Sequence, residues 1–218
     1  MSFVWTPPPE RVEQANITRL IRRLGCSEYH ELHRMSVEDP ERFWPEVVED
    51  LGIEFSTPWE RVLDLGDGPE WAKWFVGGRV NVAWNCVHKW RSDDEAVVGL
   101  WEDGARTSLT WTELSDTVAR VAEALVELGV EPGDRVAIFM PMCPEVAVAS
   151  HACAHVGAVQ VPIFSGFAAP AISARLQDSG AKVVICADWS LRRGKRVEMG
   201  EILDDALDGE NAVEHVVA

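Results

Sequence analysis

Arg192, Arg193, Lys195 and Arg196 crowd around Gly194, a few residues past the apolar run Val183-Val184-Ile185-Cys186. Guanidinium groups bind phosphate through paired, charge-assisted hydrogen bonds, and a lysine adds a point charge. A loop bent at Gly194 is therefore a candidate holder of a phosphorylated ligand. The alternative is a solvated basic loop whose cations pair with Asp188, Glu198 and Glu201. The setting sharpens the question: the chain carries 36 Asp plus Glu against 20 Lys plus Arg, a formal net charge of -16.

Other residues offer weaker chemistry. In Phe164-Ser165-Gly166-Phe167 a single glycine stands between an expected strand and an expected helix, where backbone N–H groups could face an anion. A single glycine is weak evidence, and it does not displace the reading as an ordinary strand-to-helix turn. His151 and His155 are four apart on an expected helix with Cys153 between them. A zinc site needs three or four convergent ligands, and no third follows at a suitable spacing. His30 and His33 fare no better. The sequence holds no G-x-S-x-G, no G-x-G-x-x-G and no Walker loop, so it shows no catalytic motif.

Composition narrows the class. With 47% apolar residues in 218, the chain is expected to be globular with a sizeable core. Its acidity argues against nucleic acid as a partner, since phosphates would be repelled by most of the surface. No apolar run approaches the roughly 20 residues of a membrane helix. The start, MSFVWTPPPE, lacks the basic and apolar segments of a signal peptide. Cys26, Cys86, Cys143, Cys153 and Cys186 are scattered, which fits a reducing compartment, and a cytoplasmic location is expected.

The elements that would position these residues change character along the chain. Up to about Trp90 the sequence is irregular and rich in Trp and Pro. Residues 9–25 read as a helix with Ile17, Leu20, Ile21 and Leu24 on one face, ended by Gly25. A second helix is expected after Asp39 as N-cap and Pro40 at its first position, with Pro45 as a possible kink. From about Asp94 the pattern becomes regular. Two strands flank Asp103-Gly104, and Thr110 with Glu113 forms a capping box before a helix near Glu113–Leu128. Then strands near Val136–Met140, Val159–Phe164 and Lys182–Cys186 alternate with helices near Pro144–His155 and Pro170–Gln177. Strands apolar at consecutive positions are covered on both faces, as in a parallel sheet. The fold class is α/β: an irregular helical extension followed by part of a doubly wound, mainly parallel sheet. Ligands of such sheets bind beyond the strands' carboxyl ends, which is where Phe164–Phe167 and the basic stretch fall.

Long ordered stretches also carry a resemblance. EWAKWFVGGRVNVAWNCVHKW, and then DRVAIFMPMCPEVAVASHACAHVGAVQVPIFSGFAAPAISARLQDSGAKVVICAD, resemble AMP-forming acetyl-CoA synthetases of the adenylate-forming enzymes. The family shows MPM-x-PE before a helix, ACA-x-x-GAV closing it, and Gly-Gly-Phe where this chain has Ser165-Gly166-Phe167. The likeness runs from about Ser27 to Ala206. It implies an N-terminal extension over residues 1–90 and the first part of the AMP-binding domain over residues 91–218.

The resemblance also implies a chemistry. These ligases join a short carboxylic acid to coenzyme A: the acid attacks the α-phosphate of ATP, and the CoA thiol then displaces AMP from the acyl-adenylate. ATP and CoA are the implied substrates, with Mg2+ held outside this chain. The family's arginines that hold the phosphates of the CoA nucleotide match Arg192 and, where Lys195 stands, a second position. Arg193 and Arg196 could substitute for that second arginine. Phe164 through Gly166 match a stretch close to the CoA nucleotide, so Phe164, Gly166, Arg192, Arg193, Gly194 and Lys195 become the expected site. The family's loop T-S-G-S-T-G-x-P-K-G, its acyl pocket and its catalytic lysine do not occur here. The chain therefore reads as an N-terminal fragment or an incomplete gene model, inactive alone. Acetate is the first expectation for the acid, with propionate, acetoacetate or another short acid as alternatives. A non-catalytic CoA-binding module is the reading from a different class.

Overall fold

The structure is a computed structural model that describes residues 4–218. Its chain divides into two compact units, Met1–Val80 and Asn81–Ala218. The first unit carries helices α1 (Pro9–Glu13), α2 (Asn16–Arg23), α3 (Tyr29–Glu38) and α4 (Pro40–Asp50). Strand β1 (Arg61–Asp64) then pairs antiparallel with β2 (Lys73–Val76). Leu20, Cys26, Leu32 and Phe43 form its small core.

The helical period over residues 9–25 is two helices and not the one expected, because Ala15 takes an extended backbone (φ -71°, ψ 138°). Asn16 favours a helix start over a helix interior, and the Thr18 hydroxyl donates to the Val12 carbonyl, which also accepts the Ala15 N–H at 3.2 Å. The α4 reading holds: the Asp39 carboxylate accepts from the Arg42 N–H, and the helix runs through Pro45.

The second unit opens with α5 (Val82–Cys86) and the antiparallel hairpin of β3 (Glu95–Leu100) and β4 (Arg106–Thr110). Helix α6 (Trp111–Glu127) starts at the expected capping box. Thr110 Oγ1 accepts from the Glu113 N–H at 3.1 Å, and the Glu113 carboxylate accepts from the Thr110 N–H at 2.8 Å. There follow β5 (Arg135–Phe139), α7 (Pro144–Val156), β6 (Val159–Pro162), α8 (Ala169–Ser179) and β7 (Val183–Cys186). The chain continues through β8 (Trp189–Arg192), β9 (Lys195–Glu198), α9 (Met199–Leu207) and β10 (His215–Val217).

Strands β10, β7, β5 and β6 lie in that order in one parallel sheet. Its central strands are buried at consecutive residues because both faces are covered. Val136, Ile138, Val183 and Ile185 face Ala122 and Leu125 of α6 and Ala149, Ala152 and Cys153 of α7. Ala137, Phe139, Val184 and Cys186 face Ile172 and Leu176 of α8 and Met199 and Leu203 of α9. From β5 the chain crosses to β6 on one side, then returns past β5 to β7 on the other. Order reverses at that point, so the loops leaving the strands diverge at the carboxyl ends and leave a rim open to ligands.

Candidate functional site

Three connections meet at that rim: Met140–Cys143 after β5, Ile163–Phe167 after β6, and the segment after β7. The last is where the structure corrects the sequence most. The basic stretch is a β-hairpin, not a loop, with Arg192 opposite Lys195, Leu191 opposite Arg196 and Trp189 opposite Glu198. Arg193 and Gly194 form its two-residue turn, both with positive φ (52° and 72°). That is the geometry of a type I′ turn, whose twist matches the flanking strands. Arg-Gly supplies glycine at only one of the two left-handed positions, so the turn was hidden in a run of charges.

The hairpin sorts its cations by face. Arg196 pairs with Glu198 and lies over the Trp189 ring, 4.8 Å from its centroid. This much of the solvated-loop alternative is real. Arg192 and Lys195 sit directly across the ladder on the other face, and like charges so placed repel. Among the described residues neither Arg192, Arg193 nor Lys195 pairs with a carboxylate. The Arg192 guanidinium instead lies 5.4 Å from the centroid of the Phe164 ring. It also covers Gly166 so closely that an added Cβ there would stand 3.0 Å from Arg192 Cζ and 2.7 Å from the Phe164 ring. The fold thus joins Phe164, Gly166, Arg192 and Lys195, which are separated by up to thirty residues in sequence.

Two residues escaped sequence reasoning. Arg175 of α8 stacks on Phe167 at 4.2 Å, and Phe167 meets Phe164 edge-on at 5.6 Å, so two cations bracket two aromatic rings. The i+8 spacing of Phe167 and Arg175 is helix-compatible, but it says nothing without the turn that aims Phe167. Glu102, in the turn between β3 and β4, accepts the Arg193 N–H at 2.9 Å and the Gly194 N–H at 2.8 Å. Those two hydrogen bonds, with the nearby Arg193 charge, hold its carboxyl below the usual carboxylate range. No local signal links residues so far apart.

A cleft of about 240 Å³ opens beside Arg192, lined by Trp101, Glu102, Met142, Phe164 and Ser165 among others. A larger apolar one of about 530 Å³ lies between α7 and the edge of β6 and shares Met142, Phe164 and Ser165 with it. Phe164 is 59% exposed and Met142 90% exposed, so apolar surface and free cations adjoin at one rim. Such a rim can hold an anion and stack against a flat ring.

The histidines belong elsewhere. His88, in the 3₁₀ turn His88–Trp90, meets the buried Ser115 Oγ at 2.9 Å through Nδ1 and His155 Nδ1 at 2.9 Å through Nε2. His151 Nδ1 donates to the Ala147 carbonyl at 2.7 Å. Burial pushes the Cys153 thiol up to about 11, so it is inert. Among the described residues no three His, Cys, Asp or Glu gather as metal ligands. Mg2+ is carried by the resemblance alone, and no step is routed through it.

Fold and rim define a three-layer α/β protein with cations and aromatic rings beyond the carboxyl edge of its sheet. The family described as AMP-binding enzyme matches residues 84–217, and acetyl-coenzyme A synthetase N-terminus matches residues 29–86. The chain belongs to the AMP-binding enzyme family. It is 38% identical over 216 residues to an acetyl-coenzyme A synthetase of Chlorobaculum tepidum, covering 97% of this chain and 31% of the relative. With one of Deinococcus radiodurans it shares 40% over 199 residues, 89% of this chain and 30% of the relative. A solved acetoacetyl-CoA synthetase from Streptomyces lividans superposes with a TM-score of 0.90 at 31% identity, covering 97% of this chain and 34% of that one. The chain thus spans about a third of the length of each of these three proteins.

Proposed function

We propose that this chain is the N-terminal part of an AMP-forming acyl-CoA ligase and that the rim holds the nucleotide end of coenzyme A. In the complete reaction a carboxylate oxygen attacks the α-phosphorus of ATP and pyrophosphate leaves. The CoA sulfur then attacks the acyl carbon, and AMP leaves. The residues described here bind and orient; they make or break none of these bonds. One observation carries the reading: Arg192 and Lys195 face each other without a carboxylate partner, while the Arg192 guanidinium rests on Phe164 over Gly166. A phosphate between the two cations would relieve their repulsion, and Phe164 offers a face to the attached ring.

Acetate is the proposed acid, on the strength of the acetyl-coenzyme A synthetase relatives. Acetoacetate is the second reading, which the Streptomyces lividans neighbour supports. ATP and CoA are the proposed substrates, with Mg2+ accompanying ATP. These 218 residues lack the loop that would grip the ATP phosphates and are proposed to form no acyl-adenylate alone. A cytoplasmic setting is proposed from the five free cysteines, and no helix among the described residues is long and apolar enough to cross a membrane.

The test is CoA binding to the 218-residue chain, followed by Trp fluorescence or calorimetry. A charge-assisted contact to phosphate is worth roughly 1.5–3 kcal/mol. Arg192→Ala should therefore weaken CoA binding on the order of ten- to a hundredfold. Arg193→Ala, at the tip of the turn, should have a smaller effect. Equal, negligible effects for both would return the hairpin to the status of a solvated basic surface.

A further inference from the structure

We infer that Glu102 is a positioning residue for the phosphate site: its carboxylate clamps the tip of the β8–β9 hairpin and so fixes where the Arg192 guanidinium stands. The inference rests on the reading that this hairpin meets the phosphates of CoA.

The hairpin needs such a clamp. It is an isolated two-stranded ribbon with four residues in each strand, and ribbons of that kind are marginal on their own. Its base is secured: Ser190 and Met199 are buried, and the Gly200 N–H donates to the Asp188 carbonyl at 2.9 Å. Its tip is opposed twice over. Arg192 and Lys195 repel across the last pair, and Arg193 holds a left-handed backbone without being glycine.

In a two-residue turn the N–H groups of the two central residues take no part in the ladder. Here they belong to Arg193 and Gly194, and each oxygen of Glu102 accepts one of them. Successive N–H groups in a turn make a small anion-binding concavity, and Glu102 fills it. The carboxylate bonds backbone and leaves the cationic side chains free. An ordinary salt bridge would have neutralised the groups on which phosphate binding depends.

The support is itself rigid. The β3–β4 turn is closed by Gly104 N–H to Trp101 O and Trp101 N–H to Ala105 O, both at 2.9 Å. Asp103 accepts the Ala105 N–H within the same turn, which leaves Glu102 to reach across.

The sign of the effect separates positioning from plain electrostatics. Removing a carboxylate from beside a phosphate site should tighten anion binding if charge alone matters. If Glu102 positions the hairpin, removal should weaken it. The test uses the 218-residue chain with CoA as probe, and it compares Glu102→Ala, Glu102→Gln and Arg192→Ala. Amide hydrogen exchange at Arg193 and Gly194 without CoA reports the clamp itself. Glu102→Ala should speed exchange at both amides about tenfold or more, as local opening is released. It should weaken CoA binding roughly five- to tenfold with the thermal midpoint nearly unchanged. Glu102→Gln keeps one acceptor oxygen and should recover part of both effects.

Unchanged exchange in Glu102→Ala would overturn the clamp. Faster exchange with unchanged or tighter CoA binding would overturn the positioning role and leave the phosphate reading standing. A wild-type chain that binds CoA no better than Arg192→Ala would sink the phosphate reading, and the positioning role with it.

Discussion

Gly166 shows how a single atom sets the rim. Its backbone φ is not in the left-handed region, so alanine is conformationally acceptable there. What an added Cβ meets is the Arg192 guanidinium and the Phe164 ring. Arg192 is long and exposed, so it can swing away and the fold should survive. Gly166→Ala is therefore expected to leave the thermal midpoint almost unmoved and to weaken CoA binding about tenfold, a cost near 1.4 kcal/mol. Binding at wild-type strength with a lowered midpoint would mean that the glycine serves packing alone.

At the scale of the element, the hairpin turn makes a different demand. Gly194 has φ 72° with open space around its Cα, so a substitution there meets only backbone strain. Gly194→Ala should cost about 1–2 kcal/mol of local turn stability, while Gly194→Asn, which tolerates this region, should cost less. Because the turn carries Arg192 and Lys195 on either side, CoA affinity should follow the same order: glycine, asparagine, alanine. Calorimetric titration of the three chains checks it, and an alanine variant that binds like wild type would show that the turn does not transmit strain to Arg192.

At the scale of the molecule, the His88 cluster ties the 3₁₀ turn His88–Trp90 to α6 and α7. Burial first, then the charges of His155, Arg91 and His151, hold the His88 imidazole below its ordinary 6.5. Arg91 also donates to Ser115 Oγ at 3.0 Å and pairs with Asp116 at 2.7 Å, so cations and one carboxylate surround the ring. The sign follows from proton counts: between the lowered folded value and 6.5 the unfolded chain binds more protons. Stability from this group is thus complete above about pH 6.5 and falls as the solution is acidified through that window. The midpoint of thermal unfolding should drop between pH 7 and pH 5, and His88→Gln, which can still bond Ser115, should flatten that part of the profile. Identical slopes in both chains would remove His88 as the cause.

Much of this was legible in the sequence because local periodicity is a local property. The capping box of Thr110 and Glu113, the doubly apolar strands at Val136–Phe139 and Val183–Cys186, and the helices between them are fixed by neighbours within a few residues. So was the density of cations around Gly194. The hairpin at Arg193-Gly194 was not, since its tip leans on Glu102, about ninety residues away; the break at Ala15 is local, but no Gly or Pro marks it. The pairing of cations was half hidden: Arg196 and Glu198 stand two apart on one face of a strand, but only the ladder register leaves Arg192 facing Lys195. Sequence determined which elements form and which residue types crowd the rim. Tertiary structure decided which charges stay unpaired and where they point, because that depends on contacts between strands and turns remote along the chain.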